Sequence, residues 1–420
     1  MAKLNEVFGI VTAVPTLTYV DRAKLDERFG DLLQQDKHII IYGASKQGKT
    51  TLRKKCLPDA GVVIVRCRRQ WSRDDLYGEI LGALGISKET VGDLLRSADE
   101  RGAHGGGKAG PPGLFSIFFG GSRRHAEERA RETIREPIDA DQRSLRFVTQ
   151  QLIHSGKRLV IEDFQYLPKD MRKDLAVDLK LLWDSGVYAI VVGIWAEQNT
   201  LATFNPHLLG RFAEIDVEWT DDELAQVIEK GELALNITLA DVIKNQIIRD
   251  ATGNVGLLQQ LLQGYCARCG IRETQQDHQT LSDRQVLSEV RQAICAPYTV
   301  RYRSFSLAMT DGPTAPEIAE LKVPQRFLRV CVEATDEELI NGLPETTALE
   351  RVSAAEPRIR QSDVTMILAQ LEELQDAHDI SPVVLSYNPE TRTVQLVDRE
   401  FLFFRRYGPF IWPWDGTTVR

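Results

Sequence analysis

Short, almost uninterrupted apolar runs alternate along the first half of the chain with stretches whose apolar residues recur every three or four positions. Five runs read as strands: 38–42 (HIIIY), 61–67 (GVVIVRC), 158–163 (RLVIED), 188–195 (YAIVVGIW) and 212–218 (FAEIDVE). The first is strongly apolar, without polar alternation, as expected of a strand buried in a parallel sheet. Helical sequence separates several of them, for example 169–183 (KDMRKDLAVDLKLLW). Together they predict an α/β layer.

After Trp219 the pattern turns helical. Thr220 and Glu223 have the spacing of a capping box, opening a helix that runs to about Leu233. Two more helices are expected near 239–251 and 255–269, followed by a polar linker at 271–283 (IRETQQDHQTLSD). Farther on, Val364, Ile367, Leu368, Leu371 and Leu374 lie at helical spacing within 362–377. Two alternating runs, 383–387 and 393–397, then flank a turn at Asn388, a hairpin signal. The expected organisation is an α/β core over 1–219, a helical lid over 220–275 and an α+β region over 284–420. A Gly- and Pro-rich insertion at about 100–122 (with Phe115–Phe119 as an apolar tip) reads as a mobile excursion.

Composition narrows the classes. A chain of 420 residues has room for two or three domains. A net charge of −8 argues against a generally basic nucleic-acid binder while leaving room for a local basic patch. No run is apolar enough to span a bilayer and the N-terminus lacks a signal-peptide pattern, so a cytoplasmic protein is expected. The lone C-x-x-C at Cys266 and Cys269 has no second ligand pair, and the six cysteines read as reduced structural thiols.

The candidate chemistry sits at the end of the first run. Gly43, Ala44, Ser45, Lys46, Gln47, Gly48, Lys49 and Thr50 match G-x-x-x-x-G-K-[ST] in full, with a strand before and a helix, through Thr51, after. The two glycines permit a backbone that aims amide N–H groups at phosphate oxygens, and the helix start adds its positive dipole end. Lys49 is placed to reach the β- and γ-phosphates of a nucleotide, and the Thr50 hydroxyl to ligate Mg²⁺. The third run ends in Glu162 and Asp163. An apolar strand ending in two carboxylates resembles a Walker B motif, which implies that Glu162 falls where the carboxylate supporting the metal sits and Asp163 where the base that activates water sits; the helix-capping alternative for Asp163 stays open.

Residues 5–270 resemble an AAA+ module of the origin-recognition and STAND-like kind. The resemblance is carried by the P-loop, the acidic pair in Walker B position, Tyr19-Val20-Asp21-Arg22 ahead of a helix, and Leu209-Gly210-Arg211-Phe212 before the fifth run. It implies ATP and Mg²⁺ as ligands, slow or partner-stimulated hydrolysis, and a homo-oligomer in which Arg211 reaches the γ-phosphate bound by a neighbouring copy. The order Glu then Asp reverses the usual one. Gln198 or Asn199 would stand as the sensor on the fourth run, and 253–258 (GNVGLL) resembles the second sensor region without its arginine. Helix followed by hairpin resembles a winged helix, but the acidic helix at 362–377 has no Lys or Arg, which favours a protein contact over DNA reading.

Bacterial relatives of this architecture act in transposition or anti-phage systems, so a switch in defence or in a mobile element is one expectation. A DNA-acting ATPase and a non-hydrolysing ATP-bound adaptor are the alternatives. Arg66, Arg68, Arg69 and Arg73 around Trp71 form a basic run that reads either as a phosphate-binding surface or as a solvated face. The stretch 123–136 alternates Arg with Glu and reads as a salt-bridged helix, and the aromatic tail at 410–414 docks on its own domain or on a partner.

Overall fold

The computed structural model describes residues 1–10, 14–86, 144–196, 200–311 and 320–415. The insertion at 100–122, the stretch 123–136, and Gln198 and Asn199 lie outside the described residues.

All five apolar runs form strands of one parallel sheet: β1 (His38–Tyr42), β2 (Val62–Arg66), β3 (Arg158–Glu162), β4 (Ala189–Val192) and β5 (Phe212–Asp216), in the order β2-β3-β4-β1-β5. This is the α/β fold of a P-loop AAA+ core. β4 separates β1 from β3, with Ile40 opposite Val191 on one side and Val191 opposite Ile161 on the other. The acidic pair therefore stands one strand away from the P-loop strand, not beside it. Alternation along each strand feeds two apolar layers. Leu159 and Ile161 pack with Leu175 and Leu179 on one face; Val160 packs with Leu52 and Phe29 on the other.

Thr220 caps the helix Asp221–Leu235 through the expected box with Glu223. The helices Asp241–Ala251 and Val255–Arg268 follow. The polar stretch 271–283, expected as a linker, holds a strand: β7 (Gln279–Leu281) pairs in parallel with β6 (Ile237–Leu239). Its two exposed polar positions, Gln279 and Thr280, hid the single buried anchor, Leu281.

In the third region the expected helix at 362–377 is two helices, Gln361–Ala369 and Leu371–Asp376, divided at Gln370 (φ −98°, ψ 0°). The hairpin forms β9 (Leu385–Asn388) and β10 (Thr393–Leu396), and β8 (Leu343–Pro344) completes an antiparallel sheet ordered β8-β10-β9. One apolar cluster joins the N-terminal helix Leu4–Phe8, the lid and this third region, from Leu4 and Leu224 through Tyr265 to Phe404. The aromatic tail packs onto its own region: Trp412 lies 6.2 Å from the Phe401 ring and stacks on Trp414 at 5.6 Å.

Candidate functional site

The loop after β1 is built from backbone conformations that side chains resist. Gly43 (φ 129°) and Gly48 (φ 81°) are left-handed, and a Cβ on Gly43 would meet the Val217 carbonyl at 3.1 Å. Gly48 caps the helix Lys49–Cys56, whose first turn holds Lys49, Thr50 and Thr51. A row of amides thus converges with the positive end of a helix.

Lys49 is buried at the base of this loop, where its ammonium donates to the carbonyls of Gly43 (3.0 Å) and Ala44 (2.5 Å). Burial pulls its pKa down to about 7, against the opposing pull of the Asp163 and Asp216 carboxylates. Burial, with Glu218 nearby, pushes Asp216 up to about 6. A triphosphate would supply the negative charge that this amine lacks.

Both acidic residues line the same cavity as the loop, a space of about 500 Å³ that also includes Ser45–Thr51, Tyr19, Arg22, Val227 and Gln259. Their surroundings differ. Glu162 is buried, with Oε1 3.4 Å from Arg53 Nη2 and Oε2 3.2 Å from Arg66 Nε. Arg53 is itself fully buried on the loop helix and also pairs with Asp59. Among the described residues no guanidinium pairs with Asp163, which sits in the left-handed region (φ 61°) just beyond the strand. Two guanidiniums at Glu162 oppose a further cation there, whereas Asp163 and the Thr50 hydroxyl leave oxygen donors of the kind Mg²⁺ takes alongside phosphate oxygens. Among the described residues there is no cluster of three or more His, Cys, Asp or Glu that would hold a metal unaided.

Arg211 stands at the opposite end of the sheet. Its carbonyl accepts from His38 N–H at the start of β1, and its guanidinium donates to the His207 carbonyl and lies 4.7 Å from the Trp183 ring centroid. It does not join the loop and the acidic pair within one chain. At the tip of β4, Trp195 stacks on Tyr42 (5.8 Å, 4°) and meets Phe164 edge-on.

Residues outside the loop motif complete the site. Arg22 lies over the Trp219 ring at 4.2 Å, and Trp219 Nε1 donates to the Gln47 carbonyl at 3.0 Å. Asn254 Nδ2 donates to the Ser45 carbonyl, and Gly256 N–H to the Lys46 carbonyl, both at 3.1 Å. Lys46 in turn reaches Glu400 (2.7 Å) and the Tyr298 hydroxyl (2.8 Å) in the third region. The sequence marked Arg22 and Asn254 only through short motif-like strings, and nothing in it pointed to Trp219, Tyr298 or Glu400.

The basic run after β2 is largely spent within the chain. Arg69 pairs with Asp379 at 2.6 Å, and Arg73 with the buried Asp178. Cys266 is a buried free thiol pushed up to about 12 by burial, in line with a structural role. No described helix is long and apolar enough to cross a membrane.

Residues 32–194 match the sequence model of the AAA domain. No curated protein matches the chain. A Walker-type ATPase of Pyrococcus abyssi is similar in structure, with a TM-score of 0.56 at 12 % identity over 95 % of this chain and 99 % of that one. The Orc1 protein of Aeropyrum pernix in complex with DNA scores 0.42 at 12 % identity, over 96 % and 94 % of the two chains. A STAND protein with a tetratricopeptide repeat sensor from Pyrococcus horikoshii scores 0.38 at 12 % identity, over 92 % of this chain and 42 % of that one. The first of these likenesses shows a shared fold.

Proposed function

We propose that the chain is an ATP-operated molecular switch that binds ATP with Mg²⁺, hydrolyses it slowly, and self-assembles according to the nucleotide held. One observation carries this reading: the glycine loop with Lys49 and Thr50 and the acidic pair Glu162 and Asp163 line a single cavity, closed by the segment before β1 and by the lid. Amides of Ala44–Lys49 would cradle the phosphates, Lys49 would neutralise their charge, and Thr50 would take the metal. Mg²⁺, when bound, would offset charge on the phosphates and orient them for attack by water. The arginine cage at Glu162 favours Asp163 as the carboxylate toward the metal and its water, with Glu162 as an anchor that fixes the end of β3. Arg211, far from its own loop, is available to a neighbouring copy in a homo-oligomer. The winged-helix-like third region would take a protein partner, and a setting in anti-phage defence or a mobile element rests on resemblance alone.

The DNA-acting alternative is less favoured because Arg69 and Arg73 are engaged by Asp379 and Asp178. Calorimetry of ATP binding and light scattering with ATP, ADP or neither, with and without DNA, test the reading. Lys49→Ala is expected to lose ATP binding and the nucleotide-dependent change in mass. Undiminished ATP affinity and assembly in that variant would overturn the switch, and a mass that follows DNA instead of nucleotide would favour the alternative.

A further inference from the structure

Asp163 sits beyond the end of its strand, so little of the sheet holds its side chain. Two residues later comes Gln165, in the short 3₁₀ turn Phe164–Tyr166. Its side-chain oxygen accepts from the Ile194 N–H, at the tip of β4, at 3.1 Å. Because that contact fixes which end of the amide is oxygen, the other end is a donor, and it lies 3.5 Å from Asp163 Oδ1. Backbone contacts hold the turn: Arg172 donates to the carbonyls of Gln165 and Leu167, each at 2.8 Å. Gln165 also lines the nucleotide cavity, whereas the neighbouring tip of β4 contributes Gly193 and Ile194 and buries the Trp195 ring.

We propose that Gln165 is a positioning residue for Asp163, its amide spanning from β4 to the carboxylate and aiming one oxygen while leaving the other toward the nucleotide. This rests on the ATP-hydrolysing reading above. The 3.5 Å separation is long for a hydrogen bond, and closure around a bound nucleotide would shorten it. An oriented carboxylate matters for the chemical step and little for ground-state affinity. The inference therefore predicts a split between turnover and binding rather than a common loss.

The test uses the full chain with Gln165→Glu and Gln165→Met. The Glu variant keeps the shape and the acceptor for Ile194 N–H but replaces the donor by a charge that repels Asp163; the Met variant removes both contacts. Both should bind ATP within about threefold of wild type and turn over at least about tenfold more slowly at saturating Mg²⁺. A Glu variant with the wild-type rate would assign the side chain to bracing β4 and sink the inference. Affinity and turnover falling in equal proportion would do the same. If the Met variant fails to fold, the Glu variant decides. Wild-type protein that binds ATP without turning it over would remove the hydrolytic reading and this inference together, whereas an active wild type with unimpaired variants removes the inference alone.

Discussion

Lys49 is a cation held where burial favours its neutral form, and this has a measurable consequence. With its pKa near 7, the amine is mostly deprotonated at about pH 8, and a triphosphate beside it draws a proton back. ATP binding at that pH should take up close to one proton, detected by calorimetry in buffers of different ionisation enthalpy, and the uptake should fade at about pH 6, where the amine already carries its proton. In the free protein the sign is equally defined. The pKa is lowered from 10.5, so between about pH 7 and 10 the unfolded chain binds more protons, and this group's contribution to stability rises with pH. The acidic pair gives a second residue-level test. Glu162→Gln leaves the buried Arg53 and the partner Arg66 without their shared charge and should cost about 3 kcal/mol, seen as a lower thermal midpoint. Asp163→Asn should leave the midpoint close to wild type and remove turnover. Equal destabilisation by both would contradict the division of roles. The sequence made both carboxylates visible and by position gave the metal to Glu162; it could not show the arginines that oppose that role, because Arg53 and Arg66 reach Glu162 from a helix and from a strand that only folding brings together.

Among the elements, the strands were legible because four runs are almost wholly apolar and the fifth alternates apolar with acidic residues, and their order was not. Nothing in the composition of β4 tells that it inserts between β1 and β3. Short polar elements were missed for a related reason: β7 has one buried position, too few for a pattern. The contact between loop and lid was also invisible, since it depends on an absence. Gly256 packs so closely on the phosphate loop that a Cβ there would meet Lys46 Cβ at 2.5 Å and the Lys46 carbonyl at 3.0 Å. Because the obstacles are backbone and the root of a side chain, neither swings aside. Gly256→Ala should push the lid helix Val255–Arg268 off the loop, cost about 1–3 kcal/mol, and weaken ATP binding measured by calorimetry. Unchanged affinity would show that the lid does not set the shape of the loop.

Across the whole molecule, the third region touches the nucleotide-binding core at charged contacts that flank the site. Lys46 in the loop is held by Glu400 and Tyr298, Arg399 pairs with Glu218 just after β5, and Arg69 pairs with Asp379. On the far side of the turn that carries Gln165, Arg172 faces Glu372 and Asp376 across a cavity of about 530 Å³. This accounts for Glu372 and Asp376 in the acidic stretch that looked unsuited to DNA: the two face cations of their own core. Desolvation at this seam pushes Glu372 and Asp376 up, though both stay exposed, and the attraction of Arg172 across the cavity only partly offsets it, so the two effects stand in balance. Such a balance is easily tipped. Arg172→Glu would set three carboxylates against one another and is expected to loosen the third region from the core, raising the radius of gyration in small-angle scattering and exposing the sequence near Gln370 to protease. Arg172→Met, which keeps the stem and removes the charge, should give a smaller effect in the same direction. Because Arg172 also braces the turn beyond Asp163, its variants should lose turnover along with docking. Glu372→Gln, which touches only the docking side, should shift docking alone; if it slowed hydrolysis as much as Arg172→Met, the two regions would be coupled through the acidic helix and not through the turn.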